Sequence, residues 1–171
     1  MRNEHDEEGT EAGLAAARRM FDADKASAAL GIELVELASG RAVARMRVTA
    51  SMLNGHAIGH GGLVFALADT TFACAVNSFG PPVVTASADI AFRRPGHLDD
   101  DLIAEAVTRS WQGRSVICEV TVRRGDDVIA EFSGRGVRIA VADEKPSAAS
   151  DPVPGSLSGG AGHEERRVRP A

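Results

Sequence analysis

The sequence predicts an α+β fold in which a curved antiparallel sheet of about six strands wraps around one long central helix. Three observations lead to this prediction. The segment LVFALADTTFACAVNSFG (63–80) has the length of a helix and is apolar on every side. Two strand-like runs precede it and four follow it. Hydrophobic residues make up 44% of the 171 residues, which is enough for one domain to bury a core.

The folded domain is predicted to span residues 14–141. Residues 1–13 are polar and acidic, and residues 142–171 are rich in Pro, Gly, Ser and charge. Segments of this composition bury too little apolar area to offset the entropy lost on ordering, so we expect both ends to be disordered.

The predicted domain begins with a helix and a hairpin. Residues 14–31 favour a helix by propensity and by the near-helical spacing of apolar residues, and Gly31 ends it. The strand IELVEL, a turn at Ser39-Gly40 and the strand RAVARMRV follow. Alternation of apolar and mostly basic residues in that second strand indicates that one of its faces is buried. The predicted inward residues are Ala42, Ala44, Met46 and Val48.

The central helix is predicted to be buried, because apolar residues occupy all of its faces. Gly-Pro-Pro at 80–82 ends it. The four later strands are VVTASADIAF, DLIAEAVTRSW, RSVICEVTVRR and VIAEFSGRGVRIA. Tight-turn dipeptides at 112–113 and 125–126 join the last three into an antiparallel meander.

Charge and composition exclude several functions. The formal net charge is −5, and no block of basic residues counters it, so we expect no nucleic-acid partner. No apolar run reaches the ~20 residues that span a bilayer, and the polar N-terminus is no signal peptide. Cys74 and Cys118 lie in apolar sequence and are interpreted as reduced core residues. We therefore expect a cytoplasmic protein without a membrane partner.

Asp69 is the first candidate functional residue. Its neighbours in the central helix are apolar or small, and a carboxylate is costly there unless it is paired or has a chemical role. A structural alternative is open at this point, in which the carboxylate only bonds the hydroxyl of Thr70, of Thr71 or of a strand residue.

Gly61-Gly62 at the start of the same helix is the second candidate. A helix N-terminus carries free N–H groups and partial positive charge, which suit an oxyanion or a polarised carbonyl oxygen. Glycine lets a ligand approach the backbone closely. The structural alternative is a tight turn or close packing that requires glycine.

Asn54, His56 and His60 lie in the glycine-rich loop before the helix. Histidines four residues apart can bind a metal on a helix, but these lie in a loop without an HExxH pattern or an evident third ligand. We therefore predict no metal. His60 is expected to hold the loop by hydrogen bonds or to cap the helix.

The stretch NGHAIGHGGLVFALADTTFACAVNS resembles the motif of the PaaI-type hotdog thioesterases, the phenylacetate-pathway group, and IAFRRPGHLDDDLIAEA resembles the segment that follows it there. The resemblance covers about residues 14–140. It implies a hotdog fold and hydrolysis of acyl-coenzyme A thioesters, typically phenylacetyl or hydroxyphenylacetyl esters, in phenylacetate degradation. Coenzyme A is part of the substrate, so no cofactor is expected.

The resemblance also implies roles for individual residues. Asp69 would be the nucleophile or the general base, and the Gly61 N–H would polarise the thioester carbonyl. Asn54 would hold the attacking water or the carbonyl, and His60 would order the loop. Thr70 and Ala73 would lie beside the acyl group. The full set of residues expected to bind substrate is Gly62, Thr70, Ala73, Arg93 and Arg94.

The spacing of Gly61 and Asp69 favours a dimer. Eight residues of helix correspond to roughly 12 Å, whereas a general base must come within about 3 Å of its proton. One copy of the helix therefore cannot easily place both groups on one thioester, but two copies related by a two-fold axis can. We expect a homodimer with a composite active site, and the family resemblance extends this to a homotetramer.

Arg93 and Arg94 are candidates for the coenzyme A phosphates, although consecutive strand residues point to opposite faces and at most one would face the ligand. Two other functions stay open. One is a hotdog dehydratase or hydratase that pairs His60 with Asp69. The other is a non-catalytic module that binds acyl-coenzyme A.

Overall fold

The computed structural model describes residues 4–140; side chains are described from residue 11 onward. The predicted tail at 142–171 lies outside the described residues. The helices are α1 (Glu4–Asp22), α2 (Lys25–Ala29) and α3 (Gly61–Asn77). The strands are β1 (Glu33–Ala38), β2 (Arg41–Arg47), β3 (Val83–Phe92), β4 (Asp101–Gln112), β5 (Ser115–Arg124) and β6 (Asp127–Arg138).

All six strands form one antiparallel sheet in the order β1-β2-β4-β5-β6-β3. The predicted α+β architecture, with this sheet around the long helix α3, is confirmed. The predicted meander of the last three strands, β4, β5 and β6, is confirmed. Strand β3, for which the sequence indicates no partner, pairs with β6 at the far edge of the sheet. The long connection from β3 to β4 therefore crosses to the other side of the meander.

Small side chains let α3 approach the sheet closely. Strands β2 and β4 put alanines opposite one another, Ala42 against Ala106 and Ala44 against Ala104, and all four are fully buried. Helix α3 packs most extensively against these two strands. The alternation predicted for β2 is thus confirmed, since its inward positions face the helix.

Strand β6 accommodates a phenylalanine ring of the helix in a similar way. A Cβ atom on Gly134 would lie 2.6 Å from Cε2 of Phe72, and one on Gly136 would lie 2.5 Å from Cγ1 of Val83. Only glycine leaves room for Phe72, which is completely buried. The Phe72 ring also packs against Phe132 at 5.9 Å between ring centroids.

Helix α3 is buried on one side only, in contrast to the prediction. Its sheet-facing residues are inaccessible, but a stripe of small residues along the opposite side keeps partial exposure. The stripe comprises Gly62, Ala66, Asp69 and Ala73, which are spaced by three or four residues. A helix that is apolar all round therefore shows an unpartnered face in the single chain.

The N-terminal region differs from the prediction in two respects. Helix α1 begins at Glu4, so the structure assigns helix to residues 4–13, for which the composition indicates disorder. Glu and Ala favour helix here, and the segment continues the helix that follows. The predicted helix is also interrupted at Asp24, whose side chain caps α2 by accepting hydrogen bonds from the N–H groups of Ala26 and Ser27. This cap separates α1 from α2 within the predicted single helix.

Both cysteines are free and fully buried. Burial raises the pKa of Cys74 and of Cys118 to about 12 in each case. Among residues 4–140, no helix is long and apolar enough to span a bilayer.

Candidate active site

The N-terminus of α3 has one uncommitted N–H group. His60 is the N-cap, and its Nδ1 accepts the Gly62 N–H at 3.0 Å, as the capping prediction requires. The His60 carbonyl accepts the N–H groups of Leu63 and Val64. Within the described chain, the Gly61 N–H has no acceptor. The helix thus offers this N–H, together with its partial positive charge, to a ligand.

Asn54 organises the loop that leads to this helix. Its Oδ1 accepts the backbone N–H of His56 at 2.8 Å and that of Ile58 at 3.4 Å. The Gly59 N–H donates to the Gly96 carbonyl at 2.8 Å and so joins the loop to the segment after β3. With Oδ1 occupied by the loop, the amide Nδ2 of Asn54 is the part of this side chain that can donate to a substrate.

A cavity of about 350 Å³ opens beside the helix start. This volume lies in the range of sites for small molecules. The cavity brings together four of the residues predicted from the sequence, Asn54, Gly61, Arg93 and Arg94. Its other walls are mainly apolar or glycine.

Phe92 covers the backbone at Gly61. The ring is 52% exposed and lines the cavity. A Cβ atom on Gly61 would lie 3.1 Å from Phe92 Cζ, so the glycine allows the ring to rest against the helix start. Phe92 therefore forms an aromatic wall of the cavity beside the helix start.

Both arginines line the cavity, and the prediction that at most one of them faces a ligand stays a prediction. Strand β3 ends at Phe92, and the backbone N–H groups of Arg93 and Arg94 both donate to the Ile129 carbonyl. This irregular strand end removes the strict alternation on which the prediction rests. Arg93 pairs with Glu131 at 2.6 Å and Arg94 with Asp127 at 2.9 Å.

A chain of ion pairs extends from Arg94 behind the cavity. Asp127 also accepts from Arg124, which bonds Asp100 at 2.8 Å. Burial favours the neutral form of the Asp100 carboxyl, but hydrogen bonds from Arg124 and from the His97 N–H outweigh it, so the pKa of Asp100 lies below its ordinary value. Arg94 is therefore held by a charged framework.

Asp69 lies on α3 outside this cavity. Its Oδ1 accepts the Thr85 hydroxyl at 2.9 Å, and the carboxylate is partly exposed. Thr85 is therefore the strand residue of the structural alternative, in which Asp69 bonds a hydroxyl. This single bond leaves the second carboxylate oxygen free of side-chain partners within the described chain.

The remaining predicted residues lie along α3. Thr70 bonds the Ser27 hydroxyl at 2.8 Å. Ala73 is half-buried against the core. Gly62 is exposed, but its N–H is committed to His60, so its backbone cannot polarise a substrate carbonyl in this state.

No three His, Cys, Asp or Glu side chains are grouped as metal ligands anywhere in residues 4–140. His56 is exposed and contributes its backbone N–H to the Asn54 turn. The two loop histidines thus have separate local roles.

The chain is similar to known thioesterases. Residues 56–131 match the model of the Thioesterase superfamily. Acyl-coenzyme A thioesterase PaaI of Escherichia coli strain K12 is 40% identical over 124 residues, which is 72% of this chain and 89% of that protein. A solved structure of the Escherichia coli PaaI protein from the phenylacetic acid degradation operon aligns with a TM-score of 0.74 at 37% identity and covers 77% of this chain and 96% of that one. For a mutant of the phenylacetic acid degradation protein PaaI from Thermus thermophilus, the TM-score is 0.66 at 34% identity, with coverage of 68% and 100%.

Fold and site together define a hotdog thioesterase, and the chain belongs to the thioesterase superfamily. Within that superfamily it is of the PaaI type, an enzyme that hydrolyses thioesters. The resemblance seen in the motif around Asp69 is confirmed.

Three residues at the site escaped the sequence analysis. Thr85 bonds Asp69, Ser27 bonds Thr70, and Phe92 covers Gly61. None stands in a motif that marks it, because each contact joins distant parts of the chain. Only the phenylalanine gave a usable signal, as a large apolar residue at the end of strand β3.

Proposed function

We propose that this thioesterase hydrolyses acyl-coenzyme A esters, specifically phenylacetyl- or hydroxyphenylacetyl-type esters, in phenylacetate degradation. The observation that carries the proposal is the free Gly61 N–H, which opens onto a cavity that Asn54 also lines. A carboxylate follows on the same helix at Asp69. The PaaI relatives named above support the acyl-coenzyme A substrate and the pathway.

The active site is proposed to be shared between two copies of the chain. Gly61 and Asp69 are eight residues apart in α3, and only Gly61 lines the cavity. The small-residue stripe of α3, which includes Asp69, stays partly exposed, and β3 is an edge strand with mostly exposed residues. Burying the stripe and the edge against a second copy would bring the partner's Asp69 toward the Gly61 cavity. Such dimers are proposed to assemble further into tetramers.

Hydrolysis then follows from two groups. The Gly61 N–H donates to the thioester oxygen and stabilises the negative charge that develops there. Asp69 either removes a proton from water, whose oxygen attacks the carbonyl carbon, or attacks that carbon itself. In both routes the carbon–sulfur bond breaks and coenzyme A leaves as the thiol. The second route passes through an anhydride that water must hydrolyse. This chemistry calls for no cofactor.

Arg93 and Arg94 are proposed to receive the phosphates of coenzyme A. Both line the cavity, and both side chains are more than half exposed although they pair with Glu131 and Asp127. Guanidinium groups bind phosphate by parallel hydrogen bonds.

Location in the cytoplasm stays a prediction from the sequence.

The proposal is tested by thiol release from a panel of acyl-coenzyme A esters. The panel contains phenylacetyl, hydroxyphenylacetyl, benzoyl and straight-chain esters. We expect hydrolysis of the aryl esters by the wild type and its loss in Asp69→Ala, with substrate binding retained. Wild-type activity in Asp69→Ala would overturn the assignment. Binding without hydrolysis by the wild type would favour a non-catalytic module.

Mixing two inactive variants tests the shared site. Gly61→Pro removes the proposed donor, and Asp69→Ala removes the carboxylate. In a random mixture, half of the dimers combine one chain of each kind and hold one intact site, so about one quarter of wild-type activity should return. Co-expression of the two variants lets their chains form mixed dimers. If these dimers recover no activity, the shared site is contradicted, but the assignment as a thioesterase is not.

The dehydratase or hydratase alternative has less support. His60 Nδ1 accepts the Gly62 N–H in the helix cap, so this nitrogen is not available for proton transfer. Hydration of an enoyl-coenzyme A by the wild type would revive this alternative.

A further inference from the structure

The hairpin of β5 and β6 carries two charged residues that connect Arg94 to a part-buried carboxylate. Asp127, the first residue of β6, uses its two oxygens on different partners, since Oδ1 accepts from Arg94 at 2.9 Å and Oδ2 accepts from Arg124 at 3.1 Å. Arg124, the last residue of β5, also donates to Asp100 at 2.8 Å. Exposure of the side chains falls along this series, from 56% for Arg94 to 17% for Asp100. The guanidinium at the cavity is thus tied to the body of the domain through two intermediate groups.

Arg93, the other arginine of the cavity, is held differently. Its Nε and Nη2 both donate to a single oxygen of Glu131, Oε2, at 2.7 and 2.6 Å. Among the side chains that the structure describes, Glu131 has no second cationic partner. An isolated, exposed ion pair holds a side chain weakly, whereas a network of several charges holds it more firmly. Of the two arginines, Arg94 therefore has the more firmly fixed charge.

We propose that Asp127, held by Arg124, is a positioning residue that fixes the Arg94 guanidinium for binding a phosphate of coenzyme A. Within the described chain, Nη1 is the only guanidinium nitrogen of Arg94 with a partner, so Nε and Nη2 can donate to a ligand. Fixing a long side chain before the substrate arrives reduces the entropy that is lost on binding. This inference rests on the proposed function, in which Arg94 receives phosphate. It adds two residues that neither line the cavity nor belong to the motif.

A purely electrostatic role for Asp127 predicts the opposite effect. Its carboxylate lies beside a guanidinium that binds phosphate, and negative charge there repels phosphate. Neutralising the carboxylate would then strengthen binding of the phosphates. A positioning role predicts weaker binding in the same variant, so the sign of the change separates the two roles.

The quantity to measure is a ratio of two kcat/KM values, that for an acyl-coenzyme A ester divided by that for the pantetheine ester of the same acyl group. Both substrates have the same acyl group and the same thiol arm, but pantetheine carries no phosphate. Effects of a substitution on stability or on the chemical step act on both esters alike and cancel in the ratio. The acyl group is the one that the wild type hydrolyses fastest.

Asp127→Asn is the test variant. It turns one carboxylate oxygen into an NH₂ group, which cannot accept from an arginine, so the link between Arg94 and Arg124 breaks whichever way the amide is turned. We expect the ratio to fall about fivefold, through a higher KM for the coenzyme A ester, because a mobile arginine must then be ordered on binding.

Glu131→Gln is the matched control. It also removes one negative charge beside an arginine of the cavity, but it keeps an oxygen that can receive both bonds from Arg93. We therefore expect no fall in the ratio. An unchanged or raised ratio in Asp127→Asn overturns the positioning role, and so does an equal fall in the two variants.

Arg94→Gln separates this inference from the phosphate site on which it rests. The ratio should fall about tenfold or more, because charge-assisted hydrogen bonds to phosphate are lost. A fall in Arg94→Gln without a fall in Asp127→Asn overturns the positioning role alone. No fall in Arg94→Gln overturns the phosphate site and the positioning role together, but not the thioesterase activity. Absence of hydrolysis by the wild type overturns the proposed function and this inference with it.

Discussion

Replacing Gly61 by proline would remove the proposed oxyanion donor while keeping the helix. Proline is favoured at the first position of a helix, where its missing N–H is not needed for the helix itself. The preceding residue must be extended, and His60 already has φ −65° and ψ 125°. The substitution therefore deletes one N–H with little demand on the backbone.

The expected loss of activity follows from the hydrogen bonds at the helix start. Gly62, Leu63 and Val64 all donate to His60, so none can replace the lost donor without breaking the cap. Removal of one oxyanion donor lowers kcat by about 10²–10³-fold in enzymes that use them. We expect Gly61→Pro to fall in this range in a thiol-release assay at saturating ester.

Gly61→Ala is the matched control. Both variants add a Cβ atom 3.1 Å from Phe92 Cζ, but alanine keeps the N–H. The half-exposed ring can shift by the few tenths of an ångström required. Equal losses in the two variants would show that the Cβ contact, not the donor, matters. Full activity in Gly61→Pro would refute the oxyanion role.

Three further predictions concern stability and the buried thiols. In Gly134→Ala the new Cβ would lie 2.6 Å from Phe72 Cε2, so the free energy of unfolding in urea should fall by about 1–3 kcal/mol. The control is Gly55→Ala, whose Cβ would have no atom within 4 Å and which should change this free energy by less than about 0.5 kcal/mol. Equal effects would contradict the packing argument. The pKa of Asp100 is lowered in the fold, so its contribution is complete above its ordinary value of 3.8 and is lost as the pH falls through the folded value. The stability difference between wild type and Asp100→Asn, measured by urea unfolding, should therefore be largest at neutral pH and shrink in acid; a difference independent of pH would contradict the bonding to Arg124. Both cysteine thiols, with pKa raised to about 12 by burial, should react with a disulfide reagent only after unfolding, and rapid reaction of the native protein would contradict their burial.

Local features of the fold were predictable because each depends on neighbouring residues. Turns at Gly40, Gly113 and Gly125 all have positive φ, the conformation that makes glycine a turn residue. The same is true of the His60 cap, which needs only the next two residues of chain.

Features that depend on distant contacts were not predictable. The pairing of β3 with β6 is set by how the whole sheet closes around α3, and no residue of β3 specifies it. The bond between Ser27 and Thr70 spans 43 positions of sequence. The strand end at Phe92 depends on two N–H groups sharing the Ile129 carbonyl, which alternation of residue types does not indicate.

The face of α3 shows a different kind of limit. Its apolar character on all sides predicts complete burial, yet Ala66 and Ala73 stay partly exposed in the single chain. The apolar pattern of a helix reflects all the contacts that bury it, both within its own chain and with any second copy. The sequence alone does not indicate which of these two kinds of contact buries a given residue.

The place where α1 meets the turn after α3 has a practical consequence for choosing expression boundaries. A Cβ atom on Gly13 would lie 2.2 Å from the Ser78 carbonyl oxygen and 2.8 Å from the Gly80 nitrogen. The composition suggests Leu14 as the start of the domain. A shortened protein that starts there would lose the closely packed Gly13 and would put a charged amino terminus beside the turn. Purification tags are better joined well ahead of Gly13, since this part of α1 packs against the turn that follows α3.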